Sequence, residues 1–359
     1  MIRYVLAATM AFGHSHWPIL RYSIGTARSF QLRNSPRPIS IASRRSQLAR
    51  RQAQLIGQTL GRLNPHVCVE YKWLDTIGDL NSSSNQWSPA KEENNKDQFV
   101  STVEKFLLDG GADIAVHSAK DLPATGCHDG LAITAIPRRG DVRDCLISKN
   151  GATCIEDLSH SATIGTNSPR RAAQMLRLRS DLQINPLRGN VETRLQRVLD
   201  DHAHDATLLA CAGLRRLDLH EHLAATIDLT QILPAAGQGA LAVQCRVDDH
   251  VTIRRCLPLN DSITSAAIHA EREIVCGLGA NCHSPVAVLV EPIGDRGVDG
   301  FSLRVRALAP DGSKCLEFEG QASSKQLGKM TKQALASLNQ RGARQIMSSP
   351  SVFNQVPTG

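Results

Sequence analysis

Residues 112–125 read ADIAVHSAKDLPAT. A short apolar run, Ile114-Ala115-Val116, leads into His117, Ser118, Lys120 and Asp121, with Pro123 following. A strand that ends this way brings a lysine and an aspartate to one sheet edge. Two roles are open to Asp121. A salt bridge to Lys120 or to a nearby arginine is the default, and on sequence physics alone it is favoured. The other is stabilisation of positive charge developing on a substrate, a preorganised effect that can lower a barrier by about 3–4 kcal/mol. In either case Pro123 restricts the chain close to the carboxylate.

Arginines collect after other apolar runs. Arg44 and Arg45 follow ISIAS, Arg170 and Arg171 lie in IGTNSPRR, Arg188 and Arg194 in PLRGNVETRL, and Arg215 and Arg216 follow LLACAG. Helix N-termini at the same edges add oriented N–H groups, so a cleft lined this way suits several carboxylates or phosphates. Arg45 and Arg216 are expected on solvated helix faces. Cys282 sits in VCGLGANCHSPV, where small neighbours leave room around its sulfur. An exposed loop thiol is a candidate attachment point, although one more small apolar residue among ten cysteines is the plainer reading. No C-x-x-C pair occurs, which fits reduced thiols better than disulfides or zinc. The pairs His202/His204 and His220/His222 have no cysteine cluster nearby and read as surface residues, so no metal site is expected.

These residues need strands and helices to position them. In RPISIASRRSQLARRQAQLIGQTLGRL (37–63), Ile39 and Ile41 alternate like a strand. Leu48, Leu55, Ile56, Leu60 and Leu63 then fall at helical spacing, with Ser46 as N-cap. ATIGTNSPRRAAQMLRLRS (162–180) repeats the plan, with Ser168 as cap and Pro169 at the first helical position. ADIAVHSAKDL and DATLLACAGLRRL (205–217) form a second matched pair. Two similar α/β domains are inferred, their strand C-termini facing one cleft, the edge where open α/β sheets collect ligands.

Residues 79–97, DLNSSSNQWSPAKEENNKD, read as a polar mobile loop. ILPAAGQGALAVQC (232–245) holds a lone Gly-x-Gly, a weak phosphate signal, and reads better as a crossover back into the first domain. From Asp261 a helix, three strands (VAVLVE, FSLRVRAL and KCLEFEG) and a helix from about Ser324 to Gln340 make a small α+β unit of order αβββα. The turn PDGS joins the last two strands, and Gly342 stops the final helix. Residues 1–37 carry five arginines and no acid, with no trusted strand or cap pattern. They read as a basic extension outside the fold, either a transit peptide or a mis-called start.

With 359 residues, two or three domains are expected. The hydrophobic content of 42% suits a soluble α/β protein, and no run approaches the roughly 20 apolar residues that span a bilayer. The net charge of +7 comes from 31 Arg and 10 Lys against 34 acids, which by itself fits solvated arginines as well as an anionic ligand. Nucleic acid is disfavoured, because only three Trp, three Tyr and seven Phe are available for stacking.

The segments DIAVHSAKDLP, IGTNSPRRAAQ, LRGNVETRL, LACAGLRRL and LPAAGQGALAVQCR closely resemble the porphobilinogen deaminase (hydroxymethylbilane synthase) family, in order from about Ile39 to Met347. The resemblance implies two periplasmic-binding-protein-like (type II) α/β domains forming a cleft, plus a small C-terminal α+β domain. The expected boundaries are 38–138 with 237–258 for domain one, 139–236 for domain two, 259–348 for domain three, and a tail at 349–359. It implies a transferase of tetrapyrrole biosynthesis that joins four porphobilinogen molecules with loss of ammonia and releases hydroxymethylbilane by hydrolysis. The primer is a dipyrromethane held by a thioether, and Cys282 matches its attachment point.

By the same resemblance Asp121 is the catalytic aspartate, set to stabilise the cationic azafulvene left when ammonia departs, and Lys120 stands beside it. Arg44, Ser46, Lys120, Arg170, Arg171, Arg188 and Arg194 hold acetate and propionate groups, and Thr166, Ser168 and Gln238 add hydrogen bonds. Lys96, Ser118 and Gly189 complete the cofactor-binding set. One stretch departs from the family. NNKDQFVSTVEKFL keeps Lys96 but has Ser101 near a second lysine position and Asp97 in place of a glycine, after a long insertion.

The expected partner is porphobilinogen alone, with no nucleic acid, no membrane and a monomeric state. The compartment is cytoplasmic for a mis-called start, and plastid stroma or mitochondrial matrix for a transit peptide. A non-enzymatic two-lobed anion-binding protein is the alternative, and it would have no use for Cys282. A basic nucleic-acid binder would show salt-dependent binding to any polyanion.

Overall fold

The structure is a computed structural model that describes residues 4–10, 20–26, 38–75 and 95–349, apart from 125, 127, 282, 295, 296 and 298. Strands β1 (Tyr4–Met10) and β2 (Leu20–Thr26) pair antiparallel as a separate two-stranded sheet. The sequence of residues 1–37 showed no strand pattern to rely on, so this pairing was not anticipated. The backbone of 4–10 and 20–26 pairs with itself and joins none of the other sheets.

The chain proper begins with β3 (Ile39–Arg44), α1 (Gln47–Leu63), β4 (Val69–Leu74), α2 (Asn95–Leu108), β5 (Ile114–Ser118) and β6 (Leu131–Ala135). It continues through β7 (Asp144–Ser148), β8 (Thr163–Gly165), α3 (Pro169–Leu178), β9 (Gln183–Asn185), α4 (Val191–Leu199), β10 (Ala206–Ala210) and α5 (Cys211–Arg216). β11 (Leu241–Arg246) and α6 (His250–Cys256) follow. The expected loop over 79–97 lies outside the described residues up to 94, and residues 95–97 already belong to α2.

Two sheets share one plan. The first has strand order β4-β3-β5-β11-β6 and the second β9-β8-β10-β7, written in the matching direction. In each, two strands flank a third and run parallel to it (β9 and β10 about β8, β4 and β5 about β3). An antiparallel strand comes next, β7 at the edge of the second sheet and β11 followed by β6 in the first. The likeness extends to single bonds. Asp113 Oδ2 accepts from Ser40 N and Oγ at 2.8 and 2.7 Å. Asp205 Oδ2 accepts from Thr163 N and Oγ1, both at 2.7 Å. Each carboxylate thus ties the start of one strand to the start of its parallel neighbour. The helix caps repeat too: Ser46 Oγ accepts from Ala49 N and Ser168 Oγ from Arg171 N, both at 3.4 Å, satisfying otherwise orphaned donors. The fold is a pair of similar α/β domains.

Within α1 the buried face is narrower than its apolar spacing, since Ile56 and Leu60 are buried whereas Leu55 and Leu63 are exposed. β11 pairs with β5 and β6, so the AAGQGA segment is a crossover, as its sequence indicated. α7 (Ser262–Gly277) opens a third unit, followed by β12 (Val286–Ile293), β13 (Gly300–Leu308), β14 (Cys315–Ala322) and α8 (Leu327–Gln340). The three strands form one antiparallel sheet in sequence order. Ile274, Val288, Leu303, Val305, Ala334 and Leu338 close its core. The chain passes through Gly342, at φ +84°, into a short helix, α9 (Ala343–Met347), beyond the expected stop. No helix among the described residues is long and apolar enough to cross a membrane.

Candidate active site

β5 delivers Lys120 and Asp121 on a single 3₁₀ turn, Ala119–Asp121, immediately past Ser118. The turn is held from two sides. Ala119 N donates to Ala240 O at 3.0 Å. Arg272 of α7 donates to Ala119 O at 3.1 Å, to Leu122 O at 3.4 Å and to Pro123 O. Gly237 passes so close that a Cβ there would lie 2.9 Å from the backbone of Ala119 and Lys120, and its φ of +76° favours glycine as well. The turn that carries both charges is therefore pinned by a crossover and by the third unit. Asp121 is exposed and forms no salt bridge with another described residue, which corrects the default reading of it. Its charge is felt at His117, Lys120 and Arg194.

The carboxylate that does pair with the arginines is one the sequence reading missed. Asp144, the first residue of β7 and buried, accepts from Arg170 Nη2 at 2.8 Å and from Arg171 Nη2 and Nε at 2.7 and 3.3 Å. Arg170 Nη1 also donates to Leu233 O at 2.6 Å. Gln238 Nε2 donates to Asp144 Oδ1 at 3.0 Å and to Val142 O at 2.7 Å. Burial alone would raise the Asp144 pKa, but the Arg171 and Arg170 guanidiniums hold it well below the usual carboxylate range. The sequence signal was available: an aspartate heading the apolar strand DCLIS cannot be buried without a cationic partner.

Lys120 and Arg194 both feel the charges of Arg171 and Asp121. Burial, and then Arg171, lower the Lys120 pKa to about 8. Burial and Arg171 lower Arg194 to about 10, and its Nε donates to Gly189 O at 2.9 Å. Gly189 has φ +106°, so this carbonyl is presented by a backbone that favours glycine. Lys120, Arg170, Arg171 and Arg194 are four cations against the two carboxylates Asp144 and Asp121. Gln238 Oε1 and Arg170 Nε are buried without a hydrogen-bond partner.

The remaining predicted residues take varied places. Arg44, half-buried at the end of β3, is close enough to oppose protonation of His117, whose pKa burial pushes down to about 4. Ser46 and Ser168 cap their helices, and Thr166 Oγ1 accepts from Ser168 N at 3.1 Å. Ser118 Oγ accepts from Gln52 Nε2 at 2.9 Å. Arg188 is half-buried in the loop between β9 and α4. Lys96 lies on α2.

Cys282 lies outside the described residues. Of its neighbours, Asn281 Oδ1 accepts from His283 N at 2.8 Å and Ser284 Oγ accepts from Asn281 N at 3.1 Å. Arg45 is exposed and pairs with Asp75 at 2.9 Å, in keeping with a solvated face. Arg216 is half-buried instead of lying on a solvated face. It donates to Gly239 O at 2.6 Å, and burial lowers its pKa to about 10. It braces a crossover, a role its place in GLRRL did not reveal.

The family model described as porphobilinogen deaminase, dipyrromethane cofactor binding domain matches residues 39–254, more than half of the chain. Among solved structures, the methionine binding protein MetQ is 12% identical, covering 63% of this chain and 90% of its own, at a TM-score of 0.38. YhfZ from Shigella flexneri is 14% identical over 68% and 91%, at 0.33. A TRAP periplasmic solute binding protein from Pseudomonas putida F1, with bound D-glucuronate, is 12% identical over 67% and 80%, at 0.36. Likeness at this level carries no argument about the ligand.

Proposed function

The chain belongs to the porphobilinogen deaminase family of tetrapyrrole biosynthesis, and on that premise we propose that it is the transferase that joins four porphobilinogen molecules head to tail. Ammonia is lost at each addition, and hydrolysis releases hydroxymethylbilane. The observation that carries this reading is the cationic surplus at the strand ends, with one exposed carboxylate, Asp121, set in it.

A dipyrromethane primer fits these residues. Each of its pyrroles brings two carboxylates and an N–H group. The surplus of guanidinium and ammonium charge suits the carboxylates, and the unpartnered Gln238 Oε1 is an acceptor for a donor. When bound, the primer supplies the pyrrole carbon to which the next unit is joined. Cys282 would hold it by a thioether. Arg44, Arg171, Arg188, Arg194 and Lys120 would bind its acidic groups directly, with Lys96 from α2.

Arg170 has a narrower part. With Nη1 on Leu233 and Nη2 on Asp144, it keeps Nε for a ligand and otherwise fixes Asp144. Ser46, Ser118, Thr166, Ser168 and Gly189 shape the surrounding edge. Asp121 stabilises the positive charge left on the incoming pyrrole as its amine departs. Lys120 keeps its proton at neutral pH and so holds a substrate carboxylate beside that centre. The domain division that goes with this reading is 38–138 with 237–258, 139–236 and 259–348.

Intact-mass analysis tests the proposal. Purified protein should carry an adduct of two porphobilinogen units less their ammonia, mapped to Cys282, and Cys282→Ala should lack both adduct and turnover. Unmodified wild-type protein that forms hydroxymethylbilane would overturn the primer. Binding of acidic solutes without turnover would favour the non-enzymatic two-lobed alternative.

A further inference from the structure

Cys145 and Cys211 have no part in the proposed reaction, yet they are placed as a pair. Cys145 is the second residue of β7. Cys211 opens α5, and its N–H donates to Arg143 O at 3.0 Å, which sets it diagonally across the β7–β10 ladder from Cys145. Both side chains are fully buried, among Ile147, Leu187, Leu209 and Leu214, and their sulfurs lie 2.8 Å apart. Thr226 Oγ1 stands 3.5 Å from Cys145 Sγ and 3.8 Å from Cys211 Sγ. Its own proton goes to Leu223 O at 2.7 Å, so toward the thiols it is an acceptor.

We propose that Cys145 and Cys211 form a redox-active dithiol that closes to a disulfide by exchange with a small-molecule disulfide. Cys145, as thiolate, attacks one sulfur of the small disulfide, forms a mixed disulfide and expels one thiolate. Cys211 loses its proton to solvent and attacks Cys145 Sγ, which breaks the mixed disulfide and expels the second thiolate. Two protein thiols thereby lose two electrons and two protons, and the small disulfide is reduced to two thiols.

Cys145 is written as the attacking thiol because the bridge to Thr226 places it directly beneath the neighbouring segment. Either sulfur can donate to the other, and the one that accepts is the more readily ionised. The 3₁₀ segment His220–Ala225 packs on β7 and α5, and its neighbour Thr226 bridges to Cys145. Asp218, a non-glycine residue at φ +61°, precedes this cover. Lifting one such segment is a local opening, not global unfolding.

Closure would act on the site edge. Asp144, next to Cys145, holds Arg170 and Arg171, and α5, opened by Cys211, carries the Arg216 that grips the Gly239 carbonyl.

The test is independent of the catalytic reading. The full chain is equilibrated with oxidised and reduced glutathione at a series of ratios, alkylated under denaturing conditions and digested without reductant. A linked peptide pair containing Cys145 and Cys211 is expected as the first protein disulfide to form. It should be reversible by dithiothreitol and accompanied by a higher melting temperature, because it closes a long loop. Cys211→Ala should stop at the glutathione adduct of Cys145. Recovery of both cysteines as alkylated thiols at every ratio, a persistent adduct in the wild type, or an earlier disulfide elsewhere would overturn the proposal. The wild-type peptide map decides the matter even if the variant fails to fold.

Discussion

Asp121 is a carboxylate in a cationic setting that no described partner neutralises. If it stabilises charge that develops only during reaction, Asp121→Asn should reduce turnover at least a hundredfold, about 2.7 kcal/mol. Its melting temperature should stay within a degree or two of wild type. Near-normal turnover would remove Asp121 from the mechanism. Lys120 makes a pH prediction in which binding and stability move oppositely. With its pKa near 8 in the folded protein, the ammonium that attracts a substrate carboxylate is lost as pH rises through about 8, so KM should climb there. The folded value lies below the ordinary 10.5, so the buried charge opposes folding. That cost is fully present below about pH 8 and fades as pH approaches 10.5. Steady-state kinetics from pH 6 to 9.5 should show the rise in KM, and Lys120→Arg should abolish it.

At the scale of the element, the first turn of α3 depends on one residue of β7. Asp144 heads the strand, and its carboxylate is what permits Arg170 and Arg171 to be buried in the first turn of α3. Asp144→Asn would leave two buried guanidiniums without their counter-charge, and a loss of about 3–5 kcal/mol in urea unfolding is expected. The native contribution is present above the ordinary carboxylate pKa and disappears as pH falls through the depressed folded value. A variant with wild-type stability would show that the arginines find another anion. Arg171→Lys should be milder for folding than Asp144→Asn, since both positive charges and the Asp144 carboxylate remain.

For the whole molecule, the joints between units depend on a buried carboxylate in the third. Glu271 of α7 accepts from Arg139 at 2.6 and 3.1 Å, from Gly237 N at 2.7 Å and from Val290 N at 2.9 Å. Arg139 lies in the outgoing crossover and Gly237 in the returning one. Gly140 N also donates to Gly239 O at 3.1 Å, which joins the two crossovers directly. Its neighbour Arg272 reaches the turn carrying Lys120 and Asp121. Two adjacent residues of one helix therefore hold both crossovers and the candidate catalytic turn. Glu271→Ala should lower stability by about 3–5 kcal/mol, because it strands the Arg139 guanidinium. Limited proteolysis should shift to residues 136–143 and 234–240. Unchanged cleavage there would separate Glu271 from the joints.

What the sequence determined by itself is what short range can encode. The caps Ser46 and Ser168, the strands before them, the matched ADIAVHS and DATLLACAG segments, and the αβββα order are written within windows of a few residues. Periodicity, capping and turn chemistry act over that distance. The cationic edge was legible for the same reason, since strand ends show where side chains must arrive. Which charge meets which was decided only by the tertiary structure. Asp144 pairs with Arg170 at a separation of 26 residues and Glu271 with Arg139 at 132, whereas Lys120 and Asp121, adjacent in sequence, are not paired. The pairing of Cys145 with Cys211, 66 residues apart, was equally hidden among ten cysteines. The bracing role of Arg216 was hidden too. Partners of buried charged and polar groups are chosen by chain topology, because the energy that selects them exists only once water has been excluded from the place where they meet.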